Sequence, residues 1–346
     1  MRRFTMVLFA LALLGGGIGW LLIDTRAGQN WLLPRLVDAA MRQTPIQAFD
    51  GLRVFMCGTS SPLPASDRAQ ACVAVMAGDD LFLVDAGMGS ANTMNLHGEA
   101  TQNLRAILLT HFHADHISGI YDFNLGSWVA GRNEPLVLIG PPGVERIAEG
   151  FNEAFALDRS YRVAHHGEAM MVPALGELGA REIAPGEIWN NEGLAITAFL
   201  VDHAPISPAY GYRFDYKGRS VVVSGDSNVV DSLVMAAKGA DLLLHDVLSL
   251  PIVKAMEDGA KKADRTRQAK IFGDIQNYHA GADTMGTLME DTEIGMLAAY
   301  HLVPPPRNLL MEQIFKRDLP VGTVLTRDAM VFSLPAGSKE IRITEP

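Results

Sequence analysis

The sequence predicts an α/β fold in which two sheets face each other with helices outside, preceded by an N-terminal transmembrane helix. Short apolar runs that end in glycine, typical of strands, alternate with helix-like segments from residue 51 to residue 346. The runs form two strand-rich halves, and no linker divides them into independent domains. With 346 residues, 48% of them hydrophobic, the chain is long and apolar enough for a large core.

The N-terminal segment has the features of a membrane anchor. Arg2 and Arg3 precede an uncharged stretch, Phe4–Ile23, whose length matches a helix that crosses a bilayer. No small-x-small cleavage site follows it, which favours an uncleaved anchor over a signal peptide. Because positive flanks stay in the cytoplasm, we expect an inner-membrane protein with its main domain in the periplasm or outside; secretion after signal cleavage is the alternative.

The remaining elements follow in order along the chain. Residues 24–50 form a linker with a short helix around "WLLPRLVDAAMRQ", and residues 51–346 form the main domain. In its first half we expect four strands, a helix, a strand and a helix: "LRVFMCG", "ACVAVMAG", "LFLVDAG", "RAILLTH", "ADHISGIYDFNLGSWVAG", "PLVLIGPPG" and "VERIAEGFNEAFAL". In the second half we expect four strands, then helices, a further strand and a closing strand pair near residues 323–334: "LAITAFLVDH", "YGYRFDYKG", "RSVVVSGDS", "ADLLLHDVL" and "IGMLAAYHLVPPP".

Charge and cysteine content restrict the partners. A net charge of −10 argues against general nucleic-acid binding, which needs basic surface. One basic cluster, interpreted as a solvated helix face, consists of Lys261, Lys262, Arg265, Arg267 and Lys270. The two cysteines, Cys57 and Cys72, are either buried thiols or, in an extracytoplasmic protein, a disulfide; the sequence leaves both open.

The stretch "THFHADH" predicts a metal centre. Alternate residues of an extended segment point the same way, so His111 and His113 reach one point. The chain then turns, and Asp115 and His116 open the next helix and reach a neighbouring point. Imidazole and carboxylate suit zinc, iron or manganese, so the spacing makes two adjacent half-sites.

Three further ligand candidates lie at the ends of apolar runs. His203 ends "ITAFLVDH", Asp226 ends "SVVVSGD" and His301 ends "MLAAYH". Open sheets gather functional residues at the carboxyl ends of their strands, so we expect these three side chains to complete the two half-sites.

These motifs resemble those of the metallo-β-lactamase superfamily. "THFHADH" is similar to its H-x-H-x-D-H signature, and "GTSSPLPASDRAQACVAV", "LFLVDAGMGS", "LIGPPG" and "HAPISPAYGYRF" resemble the ribonuclease Z and arylsulfatase-like branch. The resemblance covers about residues 51–335. It implies an αββα sandwich of two facing mixed sheets.

The resemblance also implies how the ligands divide between two divalent ions, zinc first, with manganese or iron as alternatives. One ion takes His111, His113 and His203, and the second takes Asp115, His116 and His301, with Asp226 bridging them. A hydroxide activated by the two ions would attack an ester substrate. Asp115 is also a candidate proton acceptor.

A proton donor for the leaving group is the remaining requirement. In ribonuclease Z relatives a histidine after the Gly-Asp motif has this role, and "YHAGAD" places His279 there, although Ala280 and Gly281 replace hydroxyl residues of that motif. Asp246 in "LLLHDVL" is a candidate to orient His279, with His245 beside it. The alternative is that His279 is an exposed loop histidine and His245 a buried structural one. His165 and His166 are expected in a loop at the mouth of the site.

The expected function is hydrolysis of a phosphodiester or sulfate ester by a membrane-anchored enzyme that acts on a small or short anionic substrate. Lactone or carboxylic-ester hydrolysis and a ribonuclease Z-like nuclease are alternatives with the same chemistry. A non-catalytic metal-binding sensor is the alternative from a different class, opposed by the complete ligand set. The sequence leaves a homodimer open.

Overall fold

The computed structural model describes residues 20–41 and 49–346. The chain divides into two compact units, residues 1–47 and residues 48–346. In the described part of the first unit, residues 20–24 are helical and helix α1 spans Arg26–Met41. The predicted anchor, except for its last four residues, lies outside the described residues. No helix within the two described ranges is both long and apolar enough to cross a membrane.

The second unit contains an eight-stranded mixed sheet, which we call the first sheet. Its strand order is β15-β14-β1-β2-β3-β4-β5-β6, and β3 to β6 run parallel to one another. The strands are β1 Phe49–Gly58, β2 Cys72–Gly78, β3 Asp80–Val84, β4 Leu104–Leu108, β5 Leu136–Gly140, β6 Leu178–Glu182, β14 Val331–Pro335 and β15 Arg342–Thr344.

A seven-stranded mixed sheet, the second sheet, has the order β13-β12-β11-β10-β9-β8-β7. Strands β10 to β13 are parallel and β7 to β10 antiparallel. The strands are β7 Gly186–Asn191, β8 Leu194–His203, β9 Ile206–Tyr216, β10 Arg219–Val223, β11 Leu242–Leu248, β12 Met296–Val303 and β13 Val324–Leu325.

Eleven helices of the second unit have the bounds α2 Ser90–Leu96, α3 Ala114–Ile117, α4 Ile120–Val129, α5 Val144–Ala154, α6 Ala156–His166, α7 Pro173–Gly176, α8 Asp231–Ala237, α9 Leu250–Lys262, α10 Thr266–Asp274, α11 Met285–Thr292 and α12 Leu309–Asp318.

Alternating apolar residues build three layers of core. The inward side chains of both sheets, such as Val54, Val75 and Tyr212, form one cluster between the sheets. A second cluster covers the other face of the first sheet and includes residues of α2 and α4. A third covers the outer face of the second sheet and includes residues of α8 and α11. The predicted α/β fold with two facing mixed sheets is confirmed.

The closing strands differ from the expected pair. β13 pairs with β12 in the second sheet, whereas β14 pairs with β1 in the first. Both closing strands are thus present, but they join different sheets, because the turn between them crosses from one sheet to the other.

The two cysteines are bonded. Cys57 is the penultimate residue of β1 and Cys72 begins β2, with their Cα atoms 5.1 Å apart, and both are fully buried. The disulfide therefore closes the base of the long β1–β2 connection, which reaches the candidate site.

Asp328 holds the same connection at both ends. Its carboxylate accepts hydrogen bonds from the backbone N–H and hydroxyl of Thr59, at 3.0 and 2.7 Å, and from the N–H of Ala69. Burial raises the pKa of Asp328 to about 6 despite these bonds.

Candidate metal centre

The first half-site follows strand β4. His111 comes three residues after the strand ends, and His113 is the residue before α3. The Nε2 atom of His111 lies 2.8 Å from Nδ1 of His113, which in turn lies 3.4 Å from Nε2 of His203 at the end of β8. The three histidines therefore converge on one point, as their spacing predicts.

The second half-site lies beside the first. Asp115 and His116 are in α3, and Oδ2 of Asp115 lies 3.4 Å from Nε2 of His116. The same oxygen lies 3.1 Å from Nε2 of His301 in β12. His301 has a φ of 42°, and the pairing of β12 with β11 is irregular at this point. That left-handed backbone is a strained conformation of the kind that concentrates at functional sites.

Asp226 lies between the two half-sites. Its Oδ2 atom is 3.3 Å from Nε2 of His116 and 3.8 Å from Nε2 of His203, and its Oδ1 atom is 3.3 Å from Nδ1 of His301. The structure thus brings all seven predicted ligands together, and Asp226 contacts histidines of both half-sites.

The donor atoms fit cations. Nε2 of His116, Nδ1 of His301 and Oδ1 of Asp226 are buried and have no hydrogen-bond partner. A buried polar atom without a hydrogen-bond partner lowers the stability of the folded chain by about 1–3 kcal/mol, so such unpaired atoms require an explanation. Several sets of donor atoms lie within 4.8 Å of one another, and among them are the two predicted triads, His111, His113 and His203, and Asp115, His116 and His301.

Local electrostatics divide the ligands by protonation state. Burial opposes protonation of His116 and His301, but the carboxylates of Asp226 and Asp115 raise the pKa of both rings, so these two imidazoles must lose a proton when a cation binds. Burial lowers the pKa of His111 and His203, which keeps these imidazoles neutral. Burial opposes ionisation of Asp115, but His116 and then His301 lower its pKa well below the ordinary value. A neutral imidazole and an ionised carboxylate are the forms that coordinate cations.

Sequence reasoning missed Asp85. Its Oδ2 atom lies 2.7 Å from Nδ1 of His116, and its two oxygens accept hydrogen bonds of 2.9 Å from the N–H and hydroxyl of Thr110. This contact leaves Nε2 of His116 facing the site. The missed signal was the acid that ends "LFLVD", the same strand-end position that identified Asp226.

His279 and Asp246 form a pair at the edge of the centre. Nδ1 of His279 lies 2.9 Å from Oδ2 of Asp246, whose other oxygen lies 3.1 Å from Nδ1 of His245. Asp246 is fully buried, and bonds from His245 and His279 lower its pKa against the opposing effect of burial. His279 is only 7% exposed, so it is not a free loop histidine. Its Nε2 atom is the ring nitrogen left for a substrate.

A cavity of about 330 Å³ opens onto the centre. Its polar lining comes from His279, Ser61 and four of the predicted ligands, His113, Asp115, His203 and Asp226. Its remaining lining is mostly apolar: Pro62, Leu63, Ala114, Ile271, Phe272, Ile275, Tyr278 and Val303. The arrangement can hold an ester beside the ligands with His279 next to it.

The other candidate residues lie elsewhere. His165 and His166 are exposed in the last turn of α6 and do not line the cavity, so their assignment to a loop at its mouth was wrong. The helical pattern of "ALDRSYRVAHH" extends to both residues. The basic cluster is exposed on α9, α10 and the turn between them, and two of its lysines pair with acids one helical turn away.

Comparisons with known proteins give one consistent result. The β-lactamase superfamily domain matches residues 81–302. The curated ribonuclease Z of Mycobacterium bovis is 35% identical over 256 residues, 73% of this chain and 86% of that protein, and the ribonuclease Z of Mycobacterium tuberculosis is 34% identical with the same coverage.

Solved structures agree on the fold. The metallo-β-lactamase fold protein YhfI from Bacillus subtilis has a TM-score of 0.56 at 19% identity, covering 82% of this chain and 99% of that one. The human tRNase Z, short form, has a TM-score of 0.55 at 19% identity with the same coverage.

Proposed function

The chain belongs to the metallo-β-lactamase superfamily and is a metal-dependent hydrolase, and from this premise we propose that it hydrolyses phosphodiesters. The family membership confirms the resemblance found in the sequence. The observation that carries the proposal is the seven-ligand centre with the His279–Asp246 pair at its edge, 2.9 Å apart.

The ligand set supports two divalent ions, with zinc as the proposed metal. His111, His113 and His203 would hold one ion, Asp115, His116 and His301 the other, and Asp226 would bridge them. When bound, such ions polarise the ester and lower the pKa of water.

The residues of the chain have separate tasks around that centre. Asp85 orients the imidazole of His116. The carbonyl of Tyr278 orients that of His203, because it accepts a 3.0 Å hydrogen bond from Nδ1. His279 is placed to donate a proton to the leaving oxygen, because its contact with Asp246 fixes the ring. Asp115 is a candidate proton acceptor for the attacking water.

The relatives bear on the substrate. Their name, ribonuclease Z, favours phosphodiesters over sulfate esters. It also supports the ribonuclease Z-like nuclease alternative more than the small anionic substrate expected from the sequence, so RNA is the principal competing substrate. Lactone and carboxylic-ester hydrolysis remain alternatives with the same centre.

We also propose that the catalytic unit lies outside the cytoplasm. The arginine-led apolar stretch at residues 2–23 supports an anchor, with a cleaved signal as the alternative. The buried Cys57–Cys72 bond supports the same location, because disulfides persist mainly in oxidising compartments.

A substrate panel tests the proposed reaction. The purified chain is supplied with zinc or manganese and assayed with a nitrophenyl phosphodiester, nitrophenyl sulfate, a lactone and an oligoribonucleotide. We expect turnover of the phosphodiester and its loss in Asp226→Ala. Turnover confined to the lactone or the sulfate would refute the proposal.

A further inference from the structure

The cavity above the metal centre has one polar end and an apolar wall. Ile271 and Phe272 of α10 and the nearby Ile275 supply one part of the wall, and Leu63 and Val303 supply others. Among the residues that line it, all within the described range 49–346, none is a lysine or an arginine. A substrate group beyond the scissile ester therefore meets hydrocarbon.

This apolar wall is built into the fold. Phe272 and Ile275 pack against a small buried cluster of Leu248, Val253 and Val303. Ile271, which directly precedes Phe272 in α10, is 48% exposed. The inner part of the wall is thus fixed by the core, whereas Ile271 can be changed without opening that core.

The basic cluster does not supply cations to the cavity. Lys261 and Lys270 pair with Glu257 and Asp274 in their own helices, and none of the basic cluster lines the cavity. A strand of RNA needs cations for the phosphates that flank the scissile one. The cavity supplies none.

We infer that the substrate is a small phosphodiester whose retained ester group is apolar and lies against Ile271 and Phe272. This inference rests on the proposed phosphodiesterase function and specifies its substrate class. Burial of the apolar group in the cavity provides affinity in proportion to the area removed from water. Discrimination comes from that contact, because one methylene group in a hydrophobic pocket changes kcat/KM by about 10–200-fold.

Two diesters with the same leaving group isolate this contact. Methyl nitrophenyl phosphate and phenyl nitrophenyl phosphate both release nitrophenolate, so they differ in the group offered to the cavity. We expect the wild-type chain to prefer the phenyl diester by about 10–100-fold in kcat/KM. Ile271→Ala should reduce that preference by about tenfold. Ile343→Ala, at an exposed isoleucine of β15 outside the cavity, is the matched control and should change neither value.

A binding measurement separates affinity from turnover. Calorimetry with phenylphosphonate and methylphosphonate should show the same preference in the wild-type chain and its reduction in Ile271→Ala. Equal affinity for both phosphonates, or equal kcat/KM for both diesters, would overturn the inference while leaving the phosphodiesterase function intact. No hydrolysis of either diester would instead refute the proposed function itself.

The RNA alternative has its own test. Cleavage of a dinucleotide and of a longer oligoribonucleotide is compared in the wild-type chain and in a variant with Lys262, Arg265 and Arg267 changed to serine. We expect no gain in kcat/KM with length and no effect of the triple substitution. A strong preference for the longer RNA that the triple substitution removes would identify a nucleic-acid substrate and contradict the inference.

Discussion

Removal of His279 tests whether this side chain protonates the leaving group. The ring is held by a 2.9 Å contact between Nδ1 and the buried Asp246, which leaves Nε2 for the leaving oxygen. In His279→Ala this donor is lost, while the seven ligands stay in place. The loss should therefore depend on how much help the leaving group needs.

The expected loss of activity follows from general acid catalysis, which raises the rate by about 10²–10⁴-fold. An alkoxide leaving group, as in a dinucleotide, needs the full contribution, so its kcat should fall by about 10²–10⁴-fold, or about 3–5 kcal/mol in the barrier. Nitrophenolate leaves without a proton, so bis(nitrophenyl) phosphate should lose about tenfold or less. Asp246→Asn should give an intermediate loss with the same selectivity, because it weakens the orientation of the ring without removing the donor.

The assay pairs steady-state kinetics on both substrates with elemental analysis of each variant. His97→Ala is the control, because His97 is exposed and bonds to the carbonyl of Thr93 away from the cavity. Equal losses on the two substrates with metal retained would refute the role of His279 as acid. Loss of metal would show that His279 is a ligand, since its donor atom lies within 4.8 Å of those of Asp226 and His301.

Three further predictions concern residues around the centre. Asp85→Asn should weaken metal affinity by about 10–100-fold, measured by competition with a chelator, because its contact with His116 orients that ligand; unchanged affinity would contradict this. Asp328 has a pKa of about 6 in the folded protein, against 3.8 for the ordinary side chain, so folding favours its protonated form. The free energy of unfolding of the wild type, relative to that of Asp328→Asn, should be highest below about pH 4 and fall by about 3 kcal/mol as pH rises through 6. Urea unfolding at several pH values measures this difference, and a pH-independent difference would refute the prediction. The disulfide between Cys57 and Cys72, which are separated by 15 residues, should stabilise the oxidised chain by about 3 kcal/mol relative to the double alanine variant. Alkylation of intact cells before lysis should find the two cysteines bonded, and a reduced pair would contradict the extracytoplasmic location.

The predicted ligands share a signal that local sequence carries. Each lies at the end of an apolar run or in the helix that directly follows, and parallel strands bring such ends to one edge of a sheet. His203, Asp226 and His301 were found in this way from three distant segments. Asp85 also lies at the end of an apolar run, but it contacts a predicted ligand, His116, and is not itself one of the predicted ligands.

Other features depend on tertiary packing that no local pattern encodes. The apolar pattern of α10 is that of any amphipathic helix, and only its packing against Val253 and Val303 turns Ile271 toward the cavity. The distance between Cys57 and Cys72 depends on the pairing of β1 with β2. The closing strands have ordinary strand patterns, and the sheet that each joins is set by the crossing turn.

The measurement that tests the account most directly is the metal stoichiometry of the purified chain, followed together with phosphodiesterase activity. Metal-depleted protein is titrated with zinc while bound metal and hydrolysis of bis(nitrophenyl) phosphate are recorded. We predict that two ions bind per chain, that activity reaches its plateau only when both are bound, and that Asp226→Ala loses metal and activity together. Binding of one ion or none, or full activity in metal-depleted protein, would contradict a dinuclear phosphodiesterase.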